Sequence, residues 1–301
     1  MDRFRSMSVF VNAVEAGSLS AAARRLGMPL ATVSRNVSDL EAHLGTRLFN
    51  RSSRVLTLTD AGRSYVLACK RILEELSEAE RAASGEYRAP KGELVLTAPI
   101  VFGRLHVLPV VTEFLKAYPE IDIRIMLSDR VVNLLEDHVN LAVRIGGLPD
   151  SSSMAIRLGA VRRVVCGSPS YFARRGVPRE PYHLGEHDCV SFETLVAPDA
   201  WTFTVAGGEA RVSIRSRLVV NTAEAAIDAA IAGLGISRVL SYQIADAQAA
   251  GLLAVVLEEF EPEPWPVSLV YPGGRLLPLK VRAFLDFAAV RLRARLQQRA
   301  E

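Results

Sequence analysis

Cysteine, lysine and long apolar runs are all scarce in this 301-residue chain. Its three cysteines, Cys69, Cys166 and Cys189, are odd in number, far apart and set in apolar segments. They read as buried reduced thiols, which fits a cytoplasmic location. No C-x-x-C pair occurs, so neither a structural zinc site nor any other metal or cofactor is expected. No stretch approaches the roughly 18 uncharged apolar residues that a spanning helix needs. Met1-Asp2-Arg3-Phe4-Arg5 also lacks the apolar core of a secretion signal, so a membrane is not an expected partner. G-x-S-x-G and P-loop strings are missing, and Gly233-Leu234-Gly235 is only part of a G-x-G-x-x-G. His106, His138, His183 and His187 lie scattered and suit surface or core roles better than catalysis. No enzyme and no catalytic residue are expected.

What is present is ample apolar material, 50% of residues against 23% charged, enough for about two packed domains. The formal charge of +3 is nearly balanced, but it is unevenly placed. Residues 1–66 hold nine arginines and five acids, whereas residues 91–301 hold 23 of each sign. The excess positive charge therefore sits where a polyanion would be met. Of the 36 basic residues only four are lysine, and arginine is the better bidentate reader of phosphates and bases.

Residues 1–60 read as short helices. Phe4, Met7, Phe10, Val11 and Val14 recur at helical spacing before Gly17. Ser18 or Ser20 can cap a second helix that closes at Gly27. Pro29 opens a third, where its missing N–H costs nothing. There Leu30, Val33, Val37, Leu40 and Leu44 form one apolar stripe. Residues 47–59 then suggest a short hairpin with a basic tip. A long helix follows from about Asp60 to Ser84, with Tyr65, Cys69, Ile72 and Leu76 on a nearly heptad seam. Pairing with a second copy would bury that seam, and packing on its own chain is the alternative.

Gly85–Gly92 reads as a linker. Beyond it, strand-like runs (93–98, 121–127, 139–145, 161–167, 252–257, 267–271) alternate with helix-like ones (102–118, 131–137, 169–175, 222–232, 279–296). That is α/β with a largely parallel sheet, long enough for two lobes.

The helix, Gly27 turn and helix over 18–44 have the form of a helix-turn-helix, whose second helix fits the major groove, roughly 12 Å wide. At 100° per residue Ala31, Thr32, Arg35 and Ser38 point away from the apolar stripe, with Ser34 at its edge. Arg35 is the candidate for a guanine or phosphate, Thr32 and Ser34 are shorter-range readers, and Ser20 lies on the preceding helix. Arg51 and Arg54 flank two serines at the hairpin tip, where they can reach phosphate or a narrow minor groove. The plain alternative for each is a solvated surface.

Residues 1–84 closely resemble the winged helix-turn-helix and linker helix of LysR-type transcriptional regulators. The resemblance is carried by Phe10-Val11-x-x-Val14 through Leu26-Gly27, by Thr32-Val33-Ser34-Arg35, by Leu40-Glu41-x-x-Leu44-Gly45-x-x-Leu48-Phe49-x-Arg51, and by Leu58-Thr59-x-Ala61-Gly62. The remainder fits that family's co-inducer domain in Pro99-x-x-Phe102-Gly103, Phe114-x-x-x-Tyr118-Pro119, Val143-Arg144-Ile145-Gly146 and Gly233-Leu234-Gly235-Ile236. Pro29 departs from the capping Ser or Thr of many members, so that helix start is expected to lack a side-chain cap. Asn133 and Asn140 stand where Asp is common.

The resemblance implies an α/β protein: a winged helix-turn-helix (1–60), a linker and dimerisation helix (61–90), and a two-lobed periplasmic-binding-protein-like effector domain (91–301). Lobe I would be 91–161 with 268–301, and lobe II 162–267. It implies double-stranded promoter DNA, a small-molecule effector and a second copy (homodimer or homotetramer) as partners, with RNA polymerase a further candidate. Strand ends that face helix starts attract anions, which selects Thr97, Ala98, Pro99, Ile100, Phe102, Ser128, Arg144, Ser191, Asn221 and Thr222 for the effector. Arg144 suits a carboxylate or an internal salt bridge. Pro99 stands where a hydroxyl would help an anion, so a less polar or aromatic effector is open too. The competing readings are an effector-independent architectural DNA binder, a solute-binding protein and an enzyme on the two-lobed fold.

Overall fold

A computed structural model describes residues 2–50, 56–83, 89–130, 132–134, 137–148, 153–192, 200–273 and 277–297. The chain forms two compact units, Met1–Arg88 and Ala89–Glu301.

In the first unit, α1 (Arg3–Glu15) is capped by Asp2, and α2 (Leu19–Leu26) by the Ser18 hydroxyl, which accepts the Ala21 N–H at 3.1 Å. Gly27 ends α2 in the left-handed region at φ +61, where a residue without Cβ carries no steric cost. The chain thereby turns into α3 (Leu30–Leu44), whose N-cap Pro29 makes no side-chain hydrogen bond. The strands β1 (Phe49–Asn50) and β2 (Thr57–Leu58) pair antiparallel, and α4 (Asp60–Ala83) follows. One core joins Val9, Phe10, Ala13, Ala22, Val33, Val37, Leu40, Leu48, Val66 and Cys69. Leu30, expected on that stripe, is 50% exposed. It is the first residue of α3, so no preceding turn covers it.

The second unit holds two five-stranded sheets. The first takes β3 (Gly92–Ala98), β4 (Ile121–Leu127), β5 (Leu141–Ile145), β6 (Ser153–Val161) and β14 (Trp265–Pro272), in the order β4-β3-β5-β14-β6. The helices α5 (Ile100–Phe102) and α6 (Leu108–Ala117), joined by a π turn at Gly103–Val107, flank it together with α10 (Leu279–Gln297). Leu94, Phe114, Phe284 and Leu292 form its core.

The second sheet takes β7 (Arg163–Gly167), β8 (Asp188–Phe192), β11 (Arg215–Val220), β12 (Ile236–Leu240) and β13 (Ala254–Val256), in the order β11-β8-β12-β7-β13. One face packs on α8 (Ala223–Ile231) and α9 (Ser241–Ala249) through Ile227, Val239 and Ile244. The other packs on α7 (Pro169–Arg175) and the hairpin β9 (Ala200–Val205) and β10 (Gly208–Ser213) through Tyr171, Trp201 and Phe203. The expected largely parallel sheet is found as two sheets, in each of which four strands run in one direction and one runs against them: β14 lies antiparallel to β5 and β6, and β7 to β12 and β13. An antiparallel strand arises wherever the chain crosses from one sheet to the other. The expected helix at 131–137 falls partly outside the described residues, and its described part is turn or irregular, not helix.

Only Arg162 separates β6 from β7, and the return runs from Val256 to Trp265. Trp265 pairs with Val161, so the return strand belongs to the first sheet from that residue rather than from 268. The two crossings are tied together. The Arg163 guanidinium stacks over the Trp265 ring at 4.5 Å, and Arg162 reaches Glu258 and Glu261, each at 3.4 Å.

Candidate nucleic-acid interface and effector cleft

The outward face of α3 is polar and unencumbered. Ala31, Ser34, Arg35 and Ser38 are exposed and Thr32 half-exposed, while Val33, Val37 and Leu40 are buried behind them. Among the described residues no hydrogen bond or ion pair holds Arg35. Ser20 is exposed on α2, with its hydroxyl 3.4 Å from that of Ser18. The structure thus brings Ala31, Thr32, Ser34, Arg35 and Ser38 onto one helix. Arg51 and Arg54, expected at the hairpin tip, lie outside the described residues.

Three supports of this face were not read from the sequence. Ser6 of α1 donates to Asn36 Oδ1 at 3.2 Å, and Asn36 Nδ2 donates to Thr32 O at 2.8 Å, which ties α3 to α1. Glu41 Oε1 accepts the backbone N–H of Leu48 (2.7 Å) and Phe49 (3.1 Å), fastening the base of the hairpin to α3. Glu15 sits between Lys70 (2.8 Å) and Arg25 (3.0 Å), and the Lys70 ammonium holds its pKa below the usual range. The Leu40-Glu41 string was visible, but periodicity says nothing about which backbone groups a carboxylate will meet.

On α4 the expected pairing seam divides. Cys69 is fully buried in the core of its own unit, where burial pushes its thiol up to about 11. Tyr65 packs on Phe10 at 5.9 Å between ring centroids. Both belong to the internal packing that was the alternative, because α1 covers their side of the helix. Ile72 and Leu76 are half-buried, and Leu67 is 51% exposed.

In the second unit the expected effector residues fall into two groups. Thr97, Ala98, Pro99, Ile100 and Phe102 run from the end of β3 into α5, and the Ser128 N–H donates to Ala98 O at 2.9 Å beside them. Ser191, Asn221 and Thr222 lie in the second sheet and the turn into α8. The Ser191 hydroxyl meets that of Ser216 at 2.6 Å, and Thr222 Oγ1 caps α8 by accepting the Ala225 N–H at 3.3 Å. Asn221 is exposed. Arg144 engages neither a ligand-facing carboxylate nor a salt bridge among the described residues. Its guanidinium donates to the carbonyls of Val132 (2.7 Å) and Arg130 (3.4 Å), and burial lowers its pKa. Thr97 is 1% exposed, with a hydroxyl that lacks a partner among the described residues, and alternation turns it to the sheet face opposite Leu96 and Ala98.

Across from α5 stands a residue absent from the sequence reading, Tyr242 at the start of α9. Its ring lies edge-on to Phe102 at 5.3 Å and to His106 at 5.6 Å. Asp129, next to Ser128, accepts the Ile100 N–H at 3.1 Å. No regular period marks α9, and that hid Tyr242. His183 and His187, four residues apart, are separately engaged: His183 Nδ1 accepts the Arg179 N–H, and His187 Nδ1 meets the Tyr171 hydroxyl. Among the described residues no group of three His, Cys, Asp or Glu side chains could hold a metal, and no helix is long and apolar enough to cross a membrane.

Comparison with known proteins bears on this arrangement. Residues 4–63 match the family of bacterial regulatory helix-turn-helix proteins of the lysR type, and residues 88–293 match the LysR substrate binding domain. An HTH-type transcriptional repressor of Pseudomonas aeruginosa (strain UCBPP-PA14) is 35% identical over 95% of this chain and 91% of its own length. The HTH-type transcriptional activator AaeR of Escherichia coli (strain K12) is 32% identical over 95% and 93%. The solved structure of CrgA, a LysR-type transcriptional regulator from Neisseria meningitidis, superposes with a TM-score of 0.62 at 31% identity, covering 96% of this chain and 98% of that one. A helix-turn-helix unit joined to a two-sheet effector-binding unit along one chain, matched over nearly its whole length, makes this protein a member of the LysR family of transcriptional regulators.

Proposed function

We propose that α3 enters the major groove of promoter DNA with Arg35 on a base edge, Thr32, Ser34 and Ser38 beside it, and Ala31 allowing close approach. Ser20 of α2 and the hairpin arginines Arg51 and Arg54 hold phosphate or the adjacent minor groove. The observation that carries this reading is the outer face of α3, exposed, polar and without a partner for its arginine among the described residues.

Pairing of two copies through α4 rests on Ile72 and Leu76, half-buried seam residues that, unlike Tyr65, do not pack on the core of their own unit. Tyr65 and Cys69 are withdrawn from that role. Two heads in one assembly suit a site with two half-sites. A small molecule held between the sheets, near Pro99, Ile100, Phe102, Ser128 and Thr222, would favour the closed form in proportion to its differential affinity, and so change how the heads engage DNA and how RNA polymerase gains access. The protein acts in the cytoplasm as a regulator and not as an enzyme.

The test is a gel shift of the purified chain with the intergenic DNA upstream of its own reading frame, repeated with candidate metabolites. Retarded DNA whose footprint changes with one metabolite supports the whole reading. Retardation that no metabolite alters favours an effector-independent architectural binder. No retardation even in dilute salt removes the reading altogether.

A further inference from the structure

In the first unit an acid stands where its own helix disfavours it. Glu15 is the last residue of α1, and the last turn of that helix holds no basic residue. A carboxylate there faces the negative end of the helix dipole, which costs free energy locally. The groups that offset this cost come from two other helices. Lys70 of α4 lies 2.8 Å from Glu15 Oε1, and Arg25 of α2 lies 3.0 Å from Oε2. Both cations act to lower the carboxyl pKa, Lys70 the more strongly, against the opposing effect of burial. Three helices thus meet at one side chain, with a separate oxygen for each cation.

α1 is also the element through which α4 reaches the reading head, since α2, α3 and α4 all pack against it. Much of that contact is apolar: Phe10 meets Tyr65, and Val66 and Cys69 join the same core. Apolar burial is non-directional, so it holds helices together without fixing their angle as a charge-assisted hydrogen bond does. At its start α4 is pinned to the hairpin base. There the Thr59 hydroxyl donates to Leu48 O at 3.3 Å and accepts the Gly62 N–H at 2.9 Å, and the Leu48 carbonyl leaves no room for a Cβ on Gly62. A rod held at one point still swings. Lys70 supplies a second point, two turns further along and roughly 12 Å away on the axis. Ile72 and Leu76, proposed above to pair two copies, come just after it. Nearer the start of α1, Ser6 and Asn36 tie the same helix to α3. Directional bonds therefore run from the pairing helix through α1 to the reading helix.

We propose, given the pairing through α4 argued above, that Glu15 is a positioning residue for DNA recognition. By holding Lys70 and Arg25 at once it sets the angle between α4 and the helix-turn-helix, and so the separation of half-sites that a pair of heads accepts. Exposed ion pairs contribute little to stability, so the carboxylate serves alignment far more than folding. In a two-fold pair the constraint acts twice, and an error in the angle is doubled where the two α3 helices meet DNA. Loss of Glu15 leaves binding to a lone half-site intact and loosens the preference for one spacing over its neighbours. Salt acts in the same sense, because it screens an exposed pair.

The test uses the full chain and the upstream intergenic DNA, footprinted to locate its two half-sites. Further fragments carry one half-site alone, or gain or lose one base pair between the two. Glu15→Gln keeps the shape of the side chain and removes its charge. In that variant the ratio of affinities for the native and the altered spacing should fall about threefold or more, while half-site affinity and the unfolding midpoint stay as in the unchanged chain. Lys70→Gln should lower the ratio by less, because Arg25 still holds the carboxylate. The double variant should be no worse than Glu15→Gln alone, the mark of two residues that act as a pair. Raising salt should shrink the ratio for the unchanged chain and barely alter it for Glu15→Gln. A ratio unchanged in Glu15→Gln, a fall in half-site affinity as large as that at the full site, or effects of the two substitutions that simply add would each overturn the assignment. The pairing reading is tested apart, with Ile72→Glu and Leu76→Glu together. If that variant still occupies both half-sites as a pair, α4 is not the pairing helix and the role of Glu15 falls with it. If pairing is lost there while Glu15→Gln keeps its ratio, the role of Glu15 alone is removed.

Discussion

The two units treat their polar side chains in opposite ways. In the first, buried polar groups find partners inside, as Ser6 does with Asn36 and Glu41 does with the hairpin base, while the arginine of α3, unpartnered among the described residues, stands in solvent. In the second, the unpartnered group is inside: among the described residues the Thr97 hydroxyl is buried without a partner, and the Tyr242 hydroxyl is buried on a ring that packs against Phe102 and His106. A surface that must dock on a long polyanion keeps its donors free and outward. A receptor for a small molecule keeps them free and inward, because desolvated groups without a partner discriminate sharply between ligands that do and do not satisfy them. The contrast suggests where to cut each unit without touching the other.

The largest effect is expected at Gly62 of α4. A Cβ there would overlap the Leu48 carbonyl oxygen, which cannot withdraw easily because it accepts the Thr59 N–H at 3.0 Å and the Thr59 hydroxyl at 3.3 Å. Gly62→Ala should cost about 3 kcal/mol in the first unit. Scanning calorimetry should show that unit's transition moving down while the transition of residues 89–301 stays in place.

Helix caps give a smaller and matched pair. Ser18→Ala removes the acceptor of the Ala21 N–H in the first unit, and Thr222→Ala removes that of the Ala225 N–H in the second. Each should lower stability by about 1 kcal/mol, measurable in urea. Only the first should weaken DNA binding and only the second should weaken effector binding. Pro29→Ser, which offers α3 the cap it lacks, should instead stabilise the first unit by about 0.5–1 kcal/mol.

The smallest expected change is a gain. Burial holds the Asp129 carboxyl above its unfolded pKa, with Glu224 adding to the rise and the Ile100 N–H opposing it. Its contribution to stability is therefore present at low pH and lost as pH rises through the folded pKa. Without ligand, Asp129→Asn should raise the unfolding midpoint of the second unit at neutral pH and flatten its acid-side pH dependence. A lowered midpoint at pH 7 would mean that the carboxylate has a compensating cation.

The first unit was the more legible from sequence, because three short helices around one core write their pattern in spacing: Val33, Val37 and Leu40 are buried as the period requires. Leu30 was misplaced because a period ignores where a helix starts. Cys69 was misplaced because a seam shows that a face is covered but not by what. In the second unit β8, β11 and β12 went unread. Their Cys-Val-Ser, Arg-Ser-Arg and Ile-Ser-Arg runs are short and polar for strands; β8 and β12 are buried only because two layers close over the sheet, and β11 at its edge stays partly exposed. The strand ends at Ile100 and Ser128, which the structure sets side by side, were legible as one candidate group. The contacts of Asp129 with Ile100 and of Tyr242 with Phe102 were not legible, since they form only after distant segments fold together.

The measurement that bears most directly on the account is the affinity of Arg35→Ala and of the unchanged chain for the upstream intergenic DNA, each compared with a fragment carrying single base changes across the site. The account predicts a loss of about 1–3 kcal/mol and relaxed discrimination at one base pair, with the salt dependence nearly unchanged. Equal affinity, with discrimination intact at every position, would contradict the assignment of α3 as the reading helix.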